Sequence, residues 1–156
     1  RIPERGTFVQ QFTLEDIEEI CELRKMFELT ALKHSIHMIT NDDIEHCRHQ
    51  LLSLHNKMDV REFHARDDSF HKLITKYCTN RRLLKYLDMI KLQILRLQYM
   101  STNRPDNVER VREVHMELLD LLQEGDYNKS ATALSEHLDK VRENVIDVYK
   151  KFKFEL

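Results

Sequence analysis

The chain has 156 residues, a formal net charge of −2 with acids and bases interspersed, and only two Gly and two Pro. That length suits one domain with its own core. The balanced charge is unlike the basic face of a nucleic-acid binder, and no apolar run approaches a membrane span or a signal peptide.

Abundant Leu and Glu, with apolar spacings of three and four, predict an all-α protein. Residues 1–12 are the exception. They hold one of the glycines and one of the prolines, and Thr7-Phe8-Val9 favours extended backbone, as at the tail of a preceding β-containing module. Thr13 then opens a helix, with Asp16 completing a variant of the capping box. Its stripe runs Ile17, Ile20, Arg24, Phe27, Ala31, His34, Met38. Thr40 with Asp43 caps a second helix, striped by Ile44, Cys47, Leu51, Leu54 and Met58. Asp59 with Glu62 caps a third, which carries Phe63, Asp67, Phe70, Ile74 and Tyr77 in phase.

The pattern breaks at Thr79-Asn80, and a fourth helix runs to about Met100. It is apolar almost all round, which predicts a place at the centre of the fold. After a polar loop from Ser101 to Asp106, Asp106 with Glu109 caps a fifth helix striped by Val108, Val111, His115, Leu118 and Leu122. Gly125-Asp126 ends it and starts the last helix, striped by Leu134, His137, Leu138, Val141, Val145 and Val148. Short connections and no repeats point to an antiparallel bundle of about six to seven helices over residues 13–156. The three cysteines (Cys21, Cys47, Cys78) form no CxxC and read as reduced core residues of a cytoplasmic protein.

Four residues break the apolar stripes in phase. Asp67 and His71 stand one helical turn apart, and His115 and His137 each replace an aliphatic residue on another helix. A carboxylate in a buried stripe is costly unless it is paired, hydrogen-bonded or metal-bound. Asp67, His71, His115 and His137 are therefore expected to hold one divalent transition metal, with Zn, Ni and Mn the foremost candidates. The bland alternative is a set of separately satisfied core histidines. Asp68 falls on the polar side of its helix and reads as solvated. His34, His37, His46 and His49 read as surface groups, and His55 and His64 as surface groups or partners standing behind the ligands. Arg24 and Arg96 are inward charges. Each pairs with a bundle carboxylate, buries its stem and reaches water, or offers its planar fork to the carboxylate of a bound organic acid.

The ordered motifs Asp67-x-x-Phe70-His71, Glu113-x-His115, Gly125-Asp126 and Glu136-His137-Leu138 resemble the effector-binding (FCD) domain of the FadR subfamily of GntR-type bacterial transcription regulators. Arg5-Gly6-Thr7-Phe8-Val9 resembles the last wing strand of the winged helix-turn-helix that precedes that domain. Glu22-Leu23-Arg24 resembles the first-helix segment whose arginine faces the effector pocket. The chain departs from the pattern at Asn80-Arg81, where Asn-Pro is frequent, and at Leu121, where a small residue is. The resemblance implies a sensing domain and not an enzyme. It implies metal ligation by Asp67, His71, His115 and His137, a small organic-acid effector bound with help from Arg24 and Arg96, and a homodimer that meets DNA only through the attached winged helix. Two rivals share the ligand pattern: a helical metal-dependent hydrolase, and a bundle whose metal is purely structural.

Overall fold

A computed structural model describes residues 12–101 and 107–154, and these form six helices with no strand among the described residues. They are α1 (Leu14–Ser35), α2 (Asn41–Leu52), α3 (Val60–Thr75), α4 (Arg81–Ser101), α5 (Asn107–Glu124) and α6 (Tyr127–Phe154). Local chemistry sets most of the boundaries. Thr13 accepts from the Asp16 amide at 3.0 Å while Asp16 accepts from the Thr13 amide at 2.7 Å, and Thr40 and Asp43 repeat the exchange at the head of α2. Each box satisfies amides that the first turn leaves without partners, and loss of such a cap costs about 1 kcal/mol. Asp59 caps α3 through the Arg61 amide, while the expected partner Glu62 pairs with Arg66. Asn80 receives the Leu83 amide at the start of α4. The Gly125 φ of +71° closes α5, and Asp126 receives the Lys129 amide as α6 begins. The expected Asp106 cap and all of residues 1–12 except Phe12 lie outside the described residues.

The helices pack as an all-α bundle in which α1 is the hub, lying against α3, α4 and α6, while α2 rests on α3 and α5, and α5 on α6. The main core joins Leu32, Ile44, Leu51, Phe70, Ile74, Leu119 and Leu134, all at most 1% exposed. A smaller cluster of Ile17, Ile20 and Val145 ties the first turns of α1 to α6.

Two readings of the sequence need correction. The α1 stripe ends one turn earlier than its apolar spacing predicts. Buried Ser35 turns the chain, its carbonyl taking the Met38 and Ile39 amides and its hydroxyl the Tyr77 amide, so His34 and Met38 are exposed. Nor is α4 central. Leu83, Leu87 and Ile90 face the bundle, but Tyr86, Met89 and Leu92 are 52%, 65% and 72% exposed. Apolar residues on every side of a helix do not by themselves say that every side is covered, since much of a folded surface is apolar.

Candidate metal centre

The site is built on α3. Its successive inward residues Phe63, His64, Asp67, Phe70, His71 and Ile74 are all buried, because α1, α2 and α4 cover a wide arc of this helix. Asp67 and His71 lie one turn apart, so both project to the same side. There they meet His115 from α5 and His137 from α6. One ring nitrogen from each of His71, His115 and His137 lies within 4.8 Å of the other two. Among the described residues this is the one such cluster of three or more His, Cys, Asp or Glu. The Asp67 carboxylate stands beside it, with Oδ1 3.4 Å from His115 Nδ1.

Several polar atoms here lack a hydrogen bond of good geometry. Neither ring nitrogen of His115 makes a hydrogen bond of good geometry, and His137 Nε2 and Asp67 Oδ1 are likewise buried without one, Asp67 Oδ1 having only its 3.4 Å approach to His115. Buried polar atoms are normally paired, and each unpaired one costs about 1–3 kcal/mol. Burial pushes both imidazoles well below their ordinary pKa, and the positive charge of Arg24 depresses both further. Neutral rings keep the lone pairs that metal ligation needs. Three converging imidazoles, two of them with nitrogens that lack a hydrogen bond of good geometry, and a carboxylate beside them are a donor set that fits a borderline transition ion.

His71 differs from the other two. Arg24 Nε donates to Glu28 Oε1 at 2.7 Å, one Arg24 NH2 group lies 3.0 Å from His71 Nε2, and His71 Nδ1 lies 2.8 Å from Glu28 Oε2. A guanidinium can only donate, so Nε2 is the acceptor; the ring proton sits on Nδ1 and goes to Glu28. Burial raises the Glu28 carboxyl, but the Arg24 charge and the hydrogen bonds from Arg24 and His71 outweigh that and hold it below the usual carboxylate range. Of the three readings of Arg24, pairing with a bundle carboxylate is realised, with contact to the cluster as well.

Two cavities meet at His64, Asp67 and His71. One, about 310 Å³, is lined by His115 and His137, with Arg110 and Lys140 also on its wall. The other, about 550 Å³, is lined by Arg24, Glu28, Asp68 and Lys91. Asp68 is not simply solvated, since Lys72 and Lys91 clamp it. Arg96 is not brought to the site. Its guanidinium sits 4.7 Å over the Phe12 ring, the residue is exposed, and it lines neither cavity. His34, His37, His46, His49 and His55 are on the surface as expected.

Sequence reasoning missed Glu28, although an acid at i+4 from an inward arginine is a legible signal for that pair. Of the two places expected for His64, the structure gives the inner one: it is buried at the junction of the cavities, beside Phe63 and one turn before Asp67.

Comparison with known proteins adds three findings. A family model described as the FCD domain matches residues 19–140. The HTH-type transcriptional repressor RspR of Escherichia coli (strain K12) is 23% identical over 146 residues, covering 92% of this chain and 64% of that protein. A Shigella flexneri protein named uncharacterized HTH-type transcriptional regulator YdfH matches to the same extent, so the chain spans 64% of the length of these relatives. Among solved structures, the metal-free FCD domain of TM0439 aligns with a TM-score of 0.79 at 19% identity, over 91% of this chain and 99% of that one. Its Zn2+-bound form aligns with 0.74 at 21% identity, over 88% and 96%. At such identities the likeness speaks for the fold alone.

Proposed function

The chain belongs to the FCD domain family, and from that premise we propose that it is the ligand-sensing part of a GntR/FadR-type transcription regulator. In this reading a winged helix-turn-helix carried elsewhere in the protein contacts DNA, in keeping with relatives named as HTH-type regulators. Asp67, His71, His115 and His137 hold one divalent transition ion, and a small carboxylate metabolite is the effector. The observation that carries this is the convergence of three histidine nitrogens within 4.8 Å, several of the surrounding donor atoms having no protein partner. A neighbour described in a Zn2+-bound form supports a metal in a fold of this kind.

The ion supplies open coordination positions for a carboxylate oxygen. The protein supplies the rest. Arg24 opens on the larger cavity, His115 and His137 on the smaller, and Asp67 and His71 on both. A small acid at the junction meets the ligands from one side and the Arg24 guanidinium from the other, which neutralises its charge. Effector binding changes DNA affinity only through a different affinity for two states of the dimer, and a modest reorientation of two half-site readers is enough to alter it. The outer face of α4, with Tyr86, Met89 and Leu92, is the apolar surface we assign to the second copy.

The test is metal analysis and native mass spectrometry on protein purified without added metal or chelating resin, beside Asp67→Ala and His137→Ala. About one transition ion per chain, lost in both variants, is expected. A small acid copurifying with the ion identifies the effector class. A well-folded wild type that takes up no Zn, Ni or Mn refutes the assignment. The dimer has its own check: Met89→Glu with Leu92→Glu should convert a dimer to a monomer by light scattering, and a wild-type monomer at micromolar concentration would overturn it.

A further inference from the structure

His71 is the one clustered histidine whose lone pair is already in use. Its Nε2 accepts from Arg24 at 3.0 Å while its Nδ1–H is committed to Glu28 at 2.8 Å. An imidazole with its proton on Nδ1 has a single in-plane lone pair, on Nε2. That lone pair can be given to a guanidinium N–H or to a cation, and not to both. Arg24 is anchored independently, by its Nε to Glu28 Oε1 at 2.7 Å, so it can let go of His71 and remain in place. Glu28 is thus the common post. It keeps the His71 tautomer that exposes Nε2 to ligation, and it keeps Arg24 beside the ring.

Resting on the metal-binding reading above, we propose that Arg24 competes with the metal ion for His71 Nε2, with Glu28 as the positioning residue for both, so that metal binding releases a guanidinium N–H face to receive an anion. The consequence is coupling. A buried guanidinium whose NH2 group has lost its acceptor needs another, and the 550 Å³ cavity that Arg24 lines is where a carboxylate can supply it. An anion there removes the cost of displacing Arg24, so metal and anion each tighten the other by the same factor. The ion senses nothing by itself in this scheme. The pair, metal with carboxylate, is the signal.

The experiment is titration with Co2+ alone, followed by d–d absorbance, for the wild type, Arg24→Gln and Glu28→Gln, then repeated in excess acetate. The Arg24→Gln amide nitrogen stands where Arg24 Nε stood, so the donor to Glu28 is kept while the group reaching His71 is deleted. Arg24→Gln is expected to bind Co2+ about tenfold tighter than wild type without acetate, the scale of one charge-assisted hydrogen bond. Acetate should tighten Co2+ binding by the wild type and leave the variant unchanged. Glu28→Gln should weaken binding about 10–100-fold, as loss of a partner behind a ligating histidine does. Folded Arg24→Gln with equal or weaker affinity overturns the competition while leaving the metal reading intact; a wild type that binds no Co2+ overturns both. Should Arg24→Gln fail to fold, the imidazole 15N spectrum of the wild type decides. The proton is expected on His71 Nδ1, and Zn2+ should shift Nε2 while the Arg24 Nε–H signal persists. Zn2+ entering at Nδ1, or a ring unchanged by Zn2+, refutes the proposal.

Discussion

Replacing His115 by leucine separates what the site costs from what it does. The ring is 1% exposed, packs 4.9 Å from Phe70 between ring centroids, and makes no hydrogen bond of good geometry through either nitrogen. A buried polar group without compensation costs about 1–3 kcal/mol, and a leucine of similar volume recovers apolar contact in the same space. His115→Leu should therefore stabilise the metal-free protein by about 1–2 kcal/mol, a rise in Tm of roughly 2–8 °C for a chain of this size. The same change deletes a ligand. In wild type, saturating Zn2+ at about a hundred times its Kd should add about 2.7 kcal/mol, and in the variant almost nothing. Thermal or urea unfolding of both proteins at pH 7.5, first in EDTA and then in Zn2+, measures all four quantities. A variant less stable than wild type in EDTA would show that the ring is satisfied and structural. An undiminished Zn2+ shift in the variant would remove His115 from the ligand set.

Stability of the metal-free protein should depend on pH in a defined window. His115 and His137 have folded pKa values pushed well below the ordinary 6.5, so the unfolded chain takes up protons that the fold refuses. Stability is then flat above about pH 7 and falls as pH drops below 6.5, with a slope approaching about 1.4 kcal/mol per unit per histidine. Glu28, held below its usual 4.5, adds a second loss below that value; urea midpoints between pH 4 and 8 that do not change would contradict both. Gly125→Ala should cost about 1 kcal/mol. The φ of +71° is unfavourable for a side chain, yet nothing lies within 4 Å of the added carbon, so the penalty is backbone alone. A loss above about 3 kcal/mol would mean that packing is involved. Arg96→Ala should leave metal uptake and carboxylate affinity unchanged by calorimetry, since its guanidinium rests on Phe12 away from both cavities.

What the sequence showed and what it hid divide along a physical line. The caps at Thr13, Thr40 and Asp59 were legible because a cap is a contact between residues two or three apart. His71, His115 and His137 were legible because each interrupts an amphipathic stripe, and a stripe says which side of a helix faces in. Where no single side is privileged, phase stops being informative. On α4, apolar nearly all round, it placed Arg96 inward and the helix at the centre, and both were corrected. On α3, covered by three helices, it left His64 open between the surface and a place behind the ligands, and the residue is buried at 4% exposure. Glu28 was legible as the i+4 partner of Arg24 but not as a partner of His71, 43 residues away, since only the meeting of α1 with α3 makes that second pair.

The buried polar groups also bear on whether a metal here would staple the bundle or report on its surroundings. A staple gains from ligands held ready with nothing else to bind, and His115 and His137 answer to that description. His71 does not. Its lone pair is spent on Arg24, which on the competition proposed above would lower the affinity of a structural site by the strength of one hydrogen bond. The main core, running from Leu32 through Phe70 to Leu134, holds α1, α2, α3, α5 and α6 together without the cluster. Chelation is therefore expected to leave the helical circular dichroism intact and shift only the unfolding midpoint. A competitor for one ligand atom, inside a bundle that needs no staple, makes binding conditional on whatever else can engage Arg24. Conditional affinity handicaps a structural ion and suits a sensor.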